Sequence, residues 1–275
     1  IPAGERSELA GQIRKIGEAA LQHLEWEKIL ELAALAPALD KETELIAPHS
    51  QGKGLRLGYC WDEAFSFYYP ENLEALEKTG AKLEKINTLH QAVLPPDLDG
   101  LYIGGGFPEV FAAELEANHS LRQQIRCKAE QGMPIYAECG GLIYLSQSLT
   151  WQGQSHQMVG LFPLEIEMTA KPQGHGYEKV RVEKPNPYFA VGSELIGHEF
   201  HNTRVVFQPD FQPQNLVFGL QKGSGMGQVE GIKRDGITQK RVLASYLHIH
   251  ALAVPQWAST FVRLAEQYQK ERLHK

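Results

Sequence analysis

Three cysteines and eleven histidines carry most of the covalent and proton chemistry open to this chain of 275 residues. Cys139 stands apart from the other two cysteines by its setting. It ends the apolar run Pro134-Ile135-Tyr136-Ala137-Glu138, and Gly140-Gly141 opens a helical pattern directly after it. A strand, a sharp bend at a nucleophile and a helix make a nucleophile elbow. Such a bend needs small neighbours, which Ala137, Gly140 and Gly141 supply. The helix start then aims amides and a positive dipole end at the sulfur, which lowers the thiol from its free value of about 8.5. The Gly140 amide is placed to donate to an oxyanion. The plainer alternative is a small buried hydrophobe, the usual role of a free cysteine.

Two further stretches favour catalysis. Gly104-Gly105-Gly106 follows the apolar Leu101-Tyr102-Ile103, and three glycines let backbone amides approach a substrate. Gly105 and Gly106 are the candidates for the other half of an oxyanion hole. The triplet is not a dinucleotide fingerprint, since Phe107-Pro108-Glu109 follows it. Ala244-Ser245-Tyr246-Leu247 leads into His248 and His250. Parallel sheets gather strand ends along one edge, where His248 would meet Cys139 as a thiolate–imidazolium pair. A third stretch, Gly197-His198-Glu199-Phe200-His201, sets His198 and Phe200 on one face and Glu199 and His201 on the other. Convergence of His198, His201, His248 and His250 would make a metal site. The H-E-x-x-H pattern is absent, so no metal is expected.

These residues need elements to hold them. Leu9, Ile13, Ile16, Ala20 and Leu24 recur at helical spacing, and Ile29, Leu32 and Leu35 continue after a slip of register. That predicts two short helices before Pro37. Residues 40–54 are mostly polar and suit a linker. Beyond it, strands at 55–60, 81–86, 101–103 and 134–137 alternate with helices at 71–79, 108–117, 121–131 and 141–149. Alternation of this kind predicts an α/β fold, a mostly parallel twisted sheet with helices on both faces. The second half reads as strands at 164–168, 178–182, 195–207, 216–221 and 242–246, closed by a helix at 255–273.

Apolar residues at 43%, charged residues at 22% and a net charge of −6 describe an ordinary globular chain with no long basic run. Nucleic acid is not an expected partner. No apolar stretch reaches bilayer-spanning length, and an odd cysteine count without C-x-x-C argues for a reducing, cytoplasmic setting. The oligomeric state stays open, a homodimer included.

The Leu101–Glu109 segment, the Ala137–Gly141 elbow, the Gly197–His201 strand and the Tyr246–His250 end resemble the cobyrinic acid a,c-diamide synthase family. That family lies in the cobalamin-type branch of class I glutamine amidotransferases. The likeness runs from about Leu55 to the C-terminus. Cobyric acid synthases are near relatives, but they usually carry Gly at the position of Ile249 and an apolar residue at that of His250.

The resemblance implies a glutamine amidotransferase domain over 55–275. Cys139 would attack glutamine, His248 would handle the proton, and Glu199, His201 and His250 would line the cleft. It implies amidation of the a and c carboxylates of a corrin, cobyrinic acid, with ATP and Mg2+ held by an N-terminal synthetase domain. Residues 1–39 resemble the helical tail of that domain. No G-x-x-x-x-G-K-[ST] motif is present, so the ATP site is expected outside this chain. Two departures from the broader class stand out. Ala137 replaces a common Gly, and His250 replaces the Glu that orients the histidine. A Cys–His dyad is therefore expected. Competing readings are another tetrapyrrole or acid amidase, such as cobyric acid synthase, a non-catalytic docking module, and a peptide-cleaving cysteine hydrolase.

Overall fold

Alternate residues of the central strands face two different cores, and this alternation organises the molecule. In a computed structural model that describes residues 7–38 and 52–274, the chain divides into two units, Ile1–Leu45 and Ile46–Lys275. The first holds α1 (Ser7–His23) and α2 (Trp26–Ala34), broken where the apolar register slips. Most of the expected linker lies outside the described residues. Its last part, 52–54, is no linker. Gly52 is buried, and its N–H donates to the Thr79 carbonyl at 2.8 Å.

The second unit begins with β1 (Arg56–Cys60), α3 (Pro70–Lys78), β2 (Lys82–Ile86) and β3 (Gly100–Ile103). It continues with α4 (Ala112–Ala117), α5 (His119–Glu130), β4 (Ile135–Glu138) and α6 (Gly140–Leu145). Leu101, Ile103, Ile135 and Ala137 face one core, with Leu121 and Ile125 of α5 and Leu142 of α6. Leu57, Tyr102 and Tyr136 face the other, with Ala75 and Leu76 of α3. Trp257 and Phe261 of α7 (Gln256–Leu273) complete that second core. Helices therefore cover both faces, as the alternating pattern requires.

The remaining strands are β5 (Ser148–Trp151), β6 (Gln154–Gln157), β7 (Leu164–Met168), β8 (Gly174–Val182) and β9 (Glu194–His201). They are followed by β10 (Thr203–Phe207), β11 (Leu216–Lys222), β12 (Gly227–Val229), β13 (Ile232–Gln239) and β14 (Val242–Ser245). The large sheet runs β2-β1-β3-β4-β14-β13-β11-β8-β9, with β12 paired to β13. Its first five strands are parallel. From β14 outward every pairing is antiparallel. A small sheet of order β10-β7-β5-β6 lies apart from it.

Three expected boundaries move for local reasons. The helix expected to run to 149 stops at Leu145, because the Ser146 hydroxyl bonds the Ile143 carbonyl at 2.5 Å and the chain turns extended into β5. The helix expected from Pro108 starts at Ala112, since Pro108 opens a turn whose carbonyl takes the Phe111 amide. The single strand expected over 195–207 breaks at Asn202 into β9 and β10, which belong to different sheets.

Candidate active site

Cys139 alone makes the turn between β4 and α6. Its φ of 46° and ψ of −95° lie where L side chains seldom go, at a cost of about 1–3 kcal/mol. The surroundings hold it there. The Cys139 N–H donates to the Ser245 carbonyl at 2.8 Å, which carries the β4–β14 ladder one residue past β4. The Gly141 N–H donates to the Gly104 carbonyl at 3.1 Å. A side chain on Gly141 would collide with the Ile103 carbonyl, and one on Gly140 would come within 3.0 Å of the Gly106 nitrogen. The glycines are required by close approach, as the elbow pattern anticipates. The sulfur sits 3.7 Å from the Phe200 carbonyl.

His248 follows β14, which lies beside β4 with Ser245 opposite Glu138. Its backbone exchanges two hydrogen bonds with His198 of β9, at 2.9 and 3.2 Å. Its ring stacks on the His198 ring at 4.7 Å and meets the Phe67 ring edge-on at 5.1 Å. Burial pulls the His248 pKa down, but the neighbouring Cys139 and Glu138 outweigh it and lift it to about 10. The imidazole is thus a cation at neutral pH beside the sulfur, the arrangement that activates a cysteine nucleophile. For His198, burial and the neighbouring His248 cation lower the pKa to about 4. It stays neutral, with Nδ1 3.0 Å from the Tyr69 hydroxyl.

Cys139 and His248 share a cavity of about 320 Å³ with Phe67, Gly106, Phe107, His175, Gly176, His198, Glu199 and Phe200. A larger surface cavity of about 800 Å³ beside α5 contains none of the expected site residues. Gly106 and Gly140 stay as oxyanion candidates, their backbones in close approach. Gly105 does not, because its N–H already donates to the Phe67 carbonyl at 3.1 Å. A Cβ there would also meet the His248 ring at 2.6 Å, so Gly105 makes room for the imidazole.

Of the three residues expected to line the cleft, only Glu199 does so. Its carboxylate accepts from the Ser224 and Gly225 amides at 2.6 and 2.9 Å. His201 is buried behind the cavity, stacked on Tyr246 at 3.7 Å with Nδ1 3.0 Å from the Thr203 carbonyl. The alternation of β9 places it inward, but past the cavity wall. His250 leaves the site altogether, with Nε2 3.5 Å from Glu71 of α3. Of the four histidines weighed as metal ligands, only His198 and His248 come together.

Sequence reasoning gives Glu138 no role and weighs His198 only as a metal ligand. Glu138 is 1% exposed, and its Oε2 lies 3.7 Å from His248 Nδ1. An acidic residue ending an otherwise apolar strand was the available signal. It also passed over a buried acid pair next to Glu199. Glu178 and Asp235 are both held above ordinary carboxylate values, first by burial and for Glu178 next by the charge of Asp235.

Comparison with known proteins agrees with this geometry. Residues 56–255 match the model of the CobB/CobQ-like glutamine amidotransferase domain. A cobyrinate a,c-diamide synthase from Magnetococcus marinus is 40% identical over 272 residues, covering 96% of this chain and 56% of that protein. One from Methanothermobacter thermautotrophicus is 39% identical, covering 98% of this chain and 57% of its own. The chain thus spans just over half the length of these curated relatives. Among solved structures, PurLQS from Thermotoga maritima superposes with a TM-score of 0.52 at 18% identity, covering 80% of this chain and 99% of that one. A crystal structure of a glutamine amidotransferase gives 0.52 at 18%, covering 76% and 98%. Both show a shared fold. Elbow, cavity and family match together place this chain in the CobB/CobQ-like glutamine amidotransferase domain family.

Proposed function

We propose that this chain is the glutaminase part of an ATP-dependent amide synthase that converts the a and c carboxylates of cobyrinic acid to carboxamides. The observation that carries the glutaminase half is Cys139 at a strained elbow, facing the same cavity as a cationic His248. The corrin half is supported by relatives named cobyrinate a,c-diamide synthase at 39–40% identity.

The thiolate attacks the side-chain amide carbon of glutamine. Amides of Gly106 and Gly140 stabilise the charge on oxygen. His248 gives its proton to the departing ammonia, then takes one from water as the glutamyl thioester is cleaved to glutamate. Ammonia passes to a carboxylate activated with ATP and Mg2+, which a part of the protein outside this chain would bind. Among the described residues, none is in a helix long and apolar enough to cross a membrane, and a cytoplasmic setting fits this biosynthetic role.

The test uses Cys139→Ala in the full-length protein. Glutamine-driven amidation should fall by about 10³-fold or more, while free ammonium still supports amidation. Retention of the glutamine-driven reaction would show that the nucleophile is another residue.

A further inference from the structure

Glu138 is a buried carboxylate that none of the steps above uses. It ends β4, directly before the nucleophile. Its Oε2 accepts from the Tyr102 hydroxyl at 2.8 Å, and its Oε1 accepts from the Ile249 amide at 3.1 Å. Tyr102 in turn accepts from Asn72 at 3.2 Å, and Asn72 also donates to the Ile249 carbonyl at 3.0 Å and accepts from the Ala251 amide at 2.7 Å. The carboxylate is therefore tied on one side to β3 and on the other to the segment that carries His248. An ionised carboxylate is costly to bury unless a charge of opposite sign accompanies it. The cation at hand is His248, whose Nδ1 lies 3.7 Å from Oε2 and has no hydrogen-bond partner among the described residues.

The carboxylate that orients the histidine in the broader class would stand at position 250. That position holds a histidine, and it faces Glu71. We propose that Glu138 is the positioning residue for His248, holding Nδ1 and stabilising the imidazolium so that Nε2 serves Cys139. The role comes from the strand beside the histidine instead of from the histidine's own segment. The 3.7 Å separation is a charge contact, and catalytic hydrogen bonds often tighten when substrate binds. This proposal rests on the glutaminase reading.

The titratable groups facing His248 are Cys139, Glu138 and, from β9, His198. Those acting with Glu138 are the phenols of Tyr68, Tyr69, Tyr102 and Tyr136, which burial, first of all, holds above ordinary values and so neutral. Loss of the Glu138 charge therefore acts chiefly on the imidazole. Glutamine hydrolysis needs the imidazolium as proton donor, so the alkaline limb of its rate reports that group.

The experiment compares Glu138→Gln and Glu138→Asp with the wild type in the full-length protein, following glutamine hydrolysis across pH. Circular dichroism checks the fold. For Glu138→Gln the expected result is a kcat lower by roughly 100-fold, a KM for glutamine within about threefold, and an alkaline limb moved down by about one pH unit or more. Glu138→Asp should restore part of the rate and leave the limb nearer the wild-type position. A limb that does not move in the folded Gln variant overturns the proposal, because a purely structural role lowers kcat without shifting it. Should the Gln variant not fold, NMR of the His248 ring in the wild-type protein decides the matter: a ring cationic at pH 8 with its Nδ1 proton hydrogen-bonded supports the proposal, and a ring neutral at pH 8 overturns it. A folded wild-type protein that hydrolyses no glutamine at any pH defeats the glutaminase reading itself, which is a distinct result.

Discussion

His248 and His198 are the same residue type, with rings stacked 4.7 Å apart, yet one is held near pKa 10 and the other near 4. They come from different regions. His248 arrives from the parallel side of the sheet, where β4 and β14 end together and set Cys139 and Glu138 beside it. His198 arrives from β9, at the far antiparallel edge, with a phenol as its hydrogen-bond partner. The parallel side contributes the reacting groups and their charge. The antiparallel side contributes a wall: a neutral ring, the Phe200 carbonyl and the Glu199 carboxylate. What decides the protonation of each ring is its company, and strand ends and mid-strand positions keep different company.

The sharpest way to break this contrast is to disturb the place where the two regions meet. A Cβ on Gly197 would collide with the His248 carbonyl. Gly197→Ala should therefore force β9 and the His248 segment apart, at a cost of about 1–3 kcal/mol in unfolding free energy. Glutamine hydrolysis should fall at least tenfold with it. Urea denaturation and steady-state rates measure the two effects. An alanine tolerated on both counts would mean that the close approach is not needed.

A smaller effect tests the antiparallel side alone. Glu178 and Asp235 both bind a proton more tightly when folded than when unfolded. Stability from such a pair is full below the unfolded pKa values near 4 and is lost as pH rises through the folded ones, about 6 for Asp235. Glu178→Gln removes one of the two titrations. Its stability relative to wild type should therefore rise between pH 4 and pH 8, by on the order of 1 kcal/mol. Urea denaturation at several pH values reads this directly. An offset that does not change with pH would show that the acid pair is not linked to folding as described.

The same contrast explains what could be read from the sequence. The parallel half announces itself through apolar runs such as Leu101–Ile103 and Ile135–Ala137, each ended by glycine or by the nucleophile. Cys139 and His248 could be placed because strand ends in such sheets share an edge. The antiparallel half was harder. β13 reads Ile-Lys-Arg-Asp-Gly-Ile-Thr-Gln, and β6 reads Gln-Ser-His-Gln, too polar to show a buried face. His201 was given the correct face of β9 but not its depth, because alternation says which side a residue takes and not how far the cavity extends. Gly105 was read as a donor. Its amide is consumed by Phe67, a pairing across 38 residues that no local pattern reveals. Glu138 stands in the elbow itself, but its partnership with His248 depends on the register of β4 against β14.

The most direct test of the central claim is mass spectrometry after incubation with a glutamine analogue that bears an electrophile in place of the amide. The chain offers an internal comparison, since Cys127 is exposed, Cys60 is fully buried and Cys139 is nearly so. The account predicts a single adduct on Cys139, prevented by excess glutamine and slowed at least tenfold by His248→Ala. An adduct on Cys127 instead, or equal labelling of Cys139 with and without His248, would contradict it.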